Sequence, residues 1–167
     1  GLEVESLEKY EEVKGGLKGL LVGEVLDVRK HPNADKLSLT KVNTGNGVPL
    51  SIVCGAPNVA VGQKVVVAPV GTTIYPITGD PLIMKLAKIR GEESQGMICA
   101  EAEIGLGTSH QGIMVLNPAA LVGISAAEYF KPYDDYIFEI GLTPNRSDAM
   151  SHLGVARDIC AYLSHHE

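Results

Sequence analysis

The side chains that could do chemistry in this chain are three cysteines, five histidines and a scatter of lysines and arginines. A cysteine nucleophile needs a neighbouring base or positive charge to lower its pKa. A metal site needs Cys, His or carboxylates at short, fixed spacing. Cys54, Cys99 and Cys160 stand far apart, each beside an aliphatic residue (Val53, Ile98, Ile159), where a thiol behaves as a small hydrophobe. Cys54 is followed by Gly55-Ala56-Pro57-Asn58, which supplies no base. His31, His110, His152 and the pair His165-His166 share no ligand spacing, so structural or solvated roles are expected for each. Gly105-Leu106-Gly107 lacks the third glycine and the following helix of a phosphate loop. The sequence therefore names no catalytic residue and no metal ligand.

Binding to phosphate is the chemistry that remains. Six basic residues fall in two short stretches: Arg29, Lys30 and Lys36, then Lys85, Lys88 and Arg90. Set on strands and loops, such groups contact the backbone and shape of a nucleic acid rather than its bases. Composition limits how strong that binding is. The net charge of −6 is the wrong sign for a strongly basic nucleic-acid binder. Between Leu20 and Asn117 there are eight Lys/Arg and eight Asp/Glu, so the middle is neutral and the acid lies at the ends. Tyr75 is the one aromatic residue of that stretch, and a base-stacking platform is nearly absent. The six cations are thus either solvated surface charges or backbone contacts. In the polar run Arg90–Met97, Glu92-Glu93 would repel phosphate, so this run is a binding loop or a plain connection, and no anion cradle.

The elements that carry these residues read as mostly β. Leu20–Val28 is rich in β-formers, with Gly23 marking a bend or bulge. His31–Asp35 reads as a turn. Leu37–Asn43 alternates as a strand, Thr44-Gly45-Asn46-Gly47 signals a hairpin, and Leu50–Cys54 completes it. Further apolar runs, Lys64–Pro69, Ile83–Ile89, Ile98–Ala100 and Ile113–Leu116, are punctuated by glycines. Many short strands with glycine turns predict a small closed barrel or a sandwich. Beyond Asn117-Pro118, Ser125–Phe130 reads as one or two helical turns. Asp135–Ile140 reads as a strand with Tyr136, Phe138 and Ile140 half-buried on one face. A last helix is expected to start at Ser147 as N-cap, with Asp148 meeting its positive end. Its stripe of Ala149, Leu153, Ala156, Cys160 and Leu163 must pack on something, and little chain follows to supply that partner.

The segments expected are 1–19 as linker and flank, 20–117 as the barrel, and 118–167 as linker, strand and helix of an incomplete flanking domain. The acidic start Gly1–Glu5 lacks a signal pattern, and its first residue suggests a trimmed chain. No run approaches the roughly 20 apolar residues of a membrane span. The three unpaired cysteines fit a reducing, cytoplasmic compartment.

Four stretches carry a resemblance: Val22-Gly23-Glu24-Val25, His31-Pro32-Asn33-Ala34-Asp35-Lys36-Leu37, Ile52–Val59, and Lys88-Ile89-Arg90-Gly91 through Ser94–Cys99. Together they resemble the tRNA-binding domain of several synthetase-associated proteins, which implies a five-stranded oligonucleotide-binding barrel. The continuation Thr143-Pro144-Asn145-Arg146 through Asp148, Ser151, Gly154, Ala156 and Arg157 is similar to the β chains of bacterial phenylalanyl-tRNA synthetases. This second resemblance runs from about Gly1 to Leu163, with Ala100 in place of a frequent Ser. The implied fold is mainly β, with a strand and helix of a second, incomplete α+β domain. The implied parent attaches phenylalanine to tRNA with ATP and magnesium, as two α and two β chains. Its aminoacylation site lies on the α chain and its proofreading site further along the β chain, so this fragment is expected to be inactive alone and to hold no cofactor. It would bind tRNA or serve as architecture; the alternative is a stand-alone tRNA chaperone that dimerises through a barrel edge.

Overall fold

A computed structural model describes residues 2–166; Gly1 and Glu167, the outer ends of the first and last segments, lie outside the described residues. The strands are β1 Glu3–Glu11, β2 Leu21–His31, β3 Ala34–Asn43, β4 Leu50–Cys54, β5 Lys64–Pro69 and β6 Thr73–Ile74. They continue as β7 Leu82–Ile83, β8 Ala87–Ile89, β9 Glu92–Ser94, β10 Gly96–Ile98 and β11 Asp134–Gly141. The α-helices are α1 Ala126–Phe130 and α2 His152–His166. The chain divides into two compact units, residues 11–133 and residues 1–10 with 134–167.

The first unit is a five-stranded antiparallel barrel of the oligonucleotide-binding kind, with strand order β10-β5-β2-β3-β4. β5 explains why the barrel has two apolar layers. Val65, Val66, Val67 and Ala68 are each 0% exposed, so this strand is covered on both faces, as a continuous apolar run requires. Val65 and Val67 join Val25, Val42, Ile52 and Ile98 in one cluster. Val66 and Ala68 join Val22, Leu20, Ile74 and Cys99 in the other. Burying each valine contributes about 1.5–3 kcal/mol. Gly23 sits where β2 crosses between β3 and β5, and β2 bulges two residues later, between Val25 and Asp27.

The polar run after Arg90 closes this barrel. The Gln95 backbone N–H donates to the Ser51 carbonyl (2.8 Å), and the Ser51 N–H donates to Gln95 Oε1 (3.0 Å). The Val53 N–H donates to Ser94 Oγ (3.1 Å), whose own hydroxyl donates to the Gly96 carbonyl (2.9 Å). Edge groups of β4 that would stay unpaired are thereby satisfied. Gly96 is required beside them, because a Cβ there would overlap the Ala68 carbonyl of the paired β5.

Residues 118–133 pack onto the barrel. Ala120 and Ala126 lie in the core, and the Ala126 N–H donates to the Leu20 carbonyl (2.9 Å). Ser125 caps α1, accepting the Glu128 N–H at 3.1 Å. The Ile113–Leu116 run forms no named strand but lies against the barrel through the Val65–Val115 bridge and through N–H donors of Met114 to the Cys99 carbonyl (2.9 Å) and Leu116 to the Lys64 carbonyl (2.7 Å).

The second unit corrects the expected burial of Tyr136 and Phe138 and the expected helix start at Ser147 and Asp148. β11 pairs with β1, yet Tyr136 and Phe138 are both 57% exposed and not half-buried. The last helix is capped by Ser151, which accepts the Gly154 N–H (3.1 Å), and not by Ser147. Ser147–Ala149 instead forms a 3-10 turn, because Arg146 draws Asp148 (3.0 Å) and Asp158 (2.6 Å) to itself. Asp148 therefore serves an ion pair and not the helix end. Of the apolar stripe only Ala149 is buried, against Gly154, whose missing side chain lets the turn fold back onto the helix. Leu153, Ala156, Cys160 and Leu163 stay exposed.

Candidate nucleic-acid interface

The two basic stretches belong to two hairpin turns. β2 and β3 pair down to His31 opposite Ala34, which leaves Pro32-Asn33 as a two-residue turn, tighter than the sequence suggests. Arg29 and Lys30 approach that turn on one strand and Lys36 leaves it on the other. β8 and β9 pair down to Ile89 opposite Glu92, leaving Arg90-Gly91. Both residues have positive φ, 48° and 101°, the pattern of a type I′ hairpin turn. Glycine takes this conformation freely, but for arginine it costs about 1 kcal/mol.

His31 joins the two turns. Its ring is 4% exposed, and both nitrogens are bonded. The Asn33 N–H donates to Nδ1 (3.0 Å), so the ring proton sits on Nε2, which donates to the Ile89 carbonyl (3.1 Å). Asn33 Nδ2 adds a longer bond to the Arg90 carbonyl (3.4 Å). These bonds bring the β2–β3 turn into contact with the β8–β9 turn; Arg29, Lys30 and Lys36 flank the first, Lys88 and Arg90 belong to the second, and all five are exposed. Lys85 is exposed too, but it precedes β8 and lies outside both turns.

Below the turns lies a groove of about 200 Å³ on the β2–β3–β4 face, with Asp27, Arg29, Lys41, Ser51, Glu92 and Glu93 in its lining. Asp27 pairs with Arg29 (2.6 Å), and Lys41 donates to Ser51 Oγ (2.5 Å). The lining thus carries three carboxylates, Asp27, Glu92 and Glu93, against two cations, Arg29 and Lys41. Among the described residues no aromatic side chain lines this groove; Tyr75 packs over Gly15, with the Lys14 ammonium 5.8 Å from its ring, and lines a different cavity. Asp27, Lys41, Ser51 and His31 were not among the sequence candidates for this face.

The cysteines do not compete for a role. Cys54 and His110 line one cavity of about 340 Å³, a proximity the sequence hides. Burial pushes the Cys54 thiol up, only partly offset by a backbone bond from Ala56, and the Glu103 charge pushes it further. Burial does the same to Cys99 more strongly. Both shifts oppose what a nucleophile needs. Cys160, expected to be buried, is exposed, because α2 leaves that face open. Among the described residues no group of three His, Cys, Asp or Glu is placed to hold a metal ion, and no helix is long and apolar enough to cross a membrane.

A family profile described as "Putative tRNA binding domain" matches residues 20–125. The phenylalanine–tRNA ligase β subunit of Bacteroides fragilis is 57% identical over 164 residues, covering 98% of this chain and 20% of that protein. The β subunit of Salinibacter ruber is 51% identical over 171 residues, covering 96% and 20%. The solved C-terminal domain of Plasmodium vivax p43 matches at a TM-score of 0.36 and 25% identity, over 47% of this chain and 43% of that one, too distant to inform the fold. The chain therefore spans about a fifth of the length of the curated relatives it matches.

Proposed function

The chain belongs to the tRNA-binding-domain family, and from that premise we propose that its two joined basic turns hold the phosphate backbone of tRNA. The observation that supports this reading is the pair of bonds from His31 and Asn33 to Ile89 and Arg90, which join the turn flanked by Arg29, Lys30 and Lys36 to the turn of Lys88 and Arg90, all five exposed. Lys85, which precedes β8 outside both turns, is not counted among these contacts. The acidic, aromatic-free groove favours recognition of backbone and shape over bases.

The same reading extends to a parent protein. Relatives named as phenylalanine–tRNA ligase β subunits match nearly the whole chain, so this chain acts as the non-catalytic tRNA-binding or architectural part of such a subunit. The attachment of phenylalanine, the use of ATP and magnesium, and the pairing with α chains belong to the parent, in the cytoplasm. A barrel of neutral charge binds tRNA weakly by itself, with a Kd above about 1 μM at physiological salt.

A titration of phenylalanine tRNA against the chain across a salt series tests the reading. With five phosphate contacts the slope of log K against log salt is about −3.5 to −4.5, so affinity falls about 100–500-fold between roughly 50 and 200 mM. Binding that resists salt would sink the phosphate-contact picture.

A further inference from the structure

We propose that His31 and Asn33 are positioning residues that make the two basic turns act as one RNA-contacting unit. The inference rests on the tRNA reading above and adds to it where the cooperation between the turns comes from. β8 and β9 form an isolated two-stranded sheet of three residues each, outside the five-stranded barrel. A two-stranded ribbon this short is not stable by itself in water. Ser94 ties its C-terminal end to β4, and the turn end is tied to the β2–β3 turn through His31 and Asn33. His31 has no solvent-facing duty: it is buried, and both of its ring nitrogens are spent on backbone groups, one on each turn.

Arg90 gives the second reason. Its left-handed conformation is one that Asn or Gly adopts at less cost. The carbonyl of this strained residue is the acceptor for Asn33, and the Gly91 Cα lies beside the same amide, where an added Cβ would be 3.8 Å away. The turn is thus held in a costly shape that presents a charge, which is how strain at a binding site is kept.

The test is a double-mutant cycle read by the salt dependence of tRNA binding at low ionic strength. In the otherwise native chain, Lys88→Ala with Arg90→Ala is expected to reduce the salt slope by about 1.4–1.8, about 0.7–0.9 for each phosphate that is no longer neutralised. In a His31→Phe background, which keeps the ring volume and removes both bonds, the same pair is expected to change the slope by less than about 0.5. His31→Gln, which still donates and accepts, should restore part of the coupling. Lowered stability alone would leave the two effects additive, so additivity overturns the positioning role while leaving the tRNA reading intact. If Lys88→Ala with Arg90→Ala has no effect in the native background, the tRNA reading of that turn fails instead. Should His31→Phe not fold, Asn33→Ala takes its place in the same cycle, with the same two outcomes.

Discussion

Substituting Arg29, Lys30, Lys36, Lys88 and Arg90 by glutamine together is expected to abolish most of the salt dependence of tRNA binding. Each phosphate left without its cation removes about 0.7–0.9 from the slope of log K against log salt, so the five together remove about 3.5–4.5. At about 50 mM salt the affinity should fall at least about a hundredfold, toward weak non-specific binding. Stability should hardly move, because all five side chains are exposed and exposed substitutions lie mostly within about 0.5 kcal/mol. The substitutions also remove the Arg29–Asp27 ion pair, which at 78% and 39% exposure contributes little. Lys85→Gln serves as the comparison: outside both turns, it should change the slope by less than any of the five. A full-strength effect at Lys85 would mean that charge in general, and not the joined turns, attracts the RNA.

Alanine at Gly23 is expected to destabilise the barrel by about 1–3 kcal/mol, the usual cost of overpacking a filled core. The new Cβ would lie 2.8 Å from Val42 Cγ1 and 2.8 Å from Val67 Cγ2, with the Asn43 carbonyl at 3.2 Å. Neither valine can yield easily: both are 0% exposed, and β-branched side chains have one favoured χ1 in such settings. Against this, alanine restricts the unfolded chain and returns about 0.4–1 kcal/mol, which is too little to reverse the sign. The measurement is the urea midpoint at constant m-value. An unchanged midpoint would show that β2 has room that the packing of Val42 and Val67 denies.

Much of the barrel was legible because local signals and burial agree there. Lys64–Pro69 reads as an apolar run and forms β5 over the same residues, since a strand covered on both faces needs no alternation. Thr44–Gly47 reads as a hairpin turn, and β3 and β4 pair around it. What failed was long-range. The seam joins Val53 to Ser94, 41 positions apart, so a polar loop and a barrel closure look alike in sequence. His31 meets Ile89 across 58 positions and Asn33 meets Arg90 across 57, and these bonds reveal that the two basic stretches belong to adjoining turns. Lys85, close in sequence to Lys88, precedes β8 and lies outside both turns. The last helix misled for a different reason. Ser147 and Asp148 carry a good capping pattern, but Arg146 captures the aspartate and the helix waits for Ser151.

Amide mapping in a 15N-labelled chain tests the central claim most directly, by recording which backbone signals shift as tRNA is added at low salt. The joined-turn account predicts shifts concentrated at Arg29–Lys36 and Lys88–Glu92, with little change around Cys54, Glu103 and His110, which line the other cavity. Shifts centred on that second cavity, with the two turns unmoved, would contradict it.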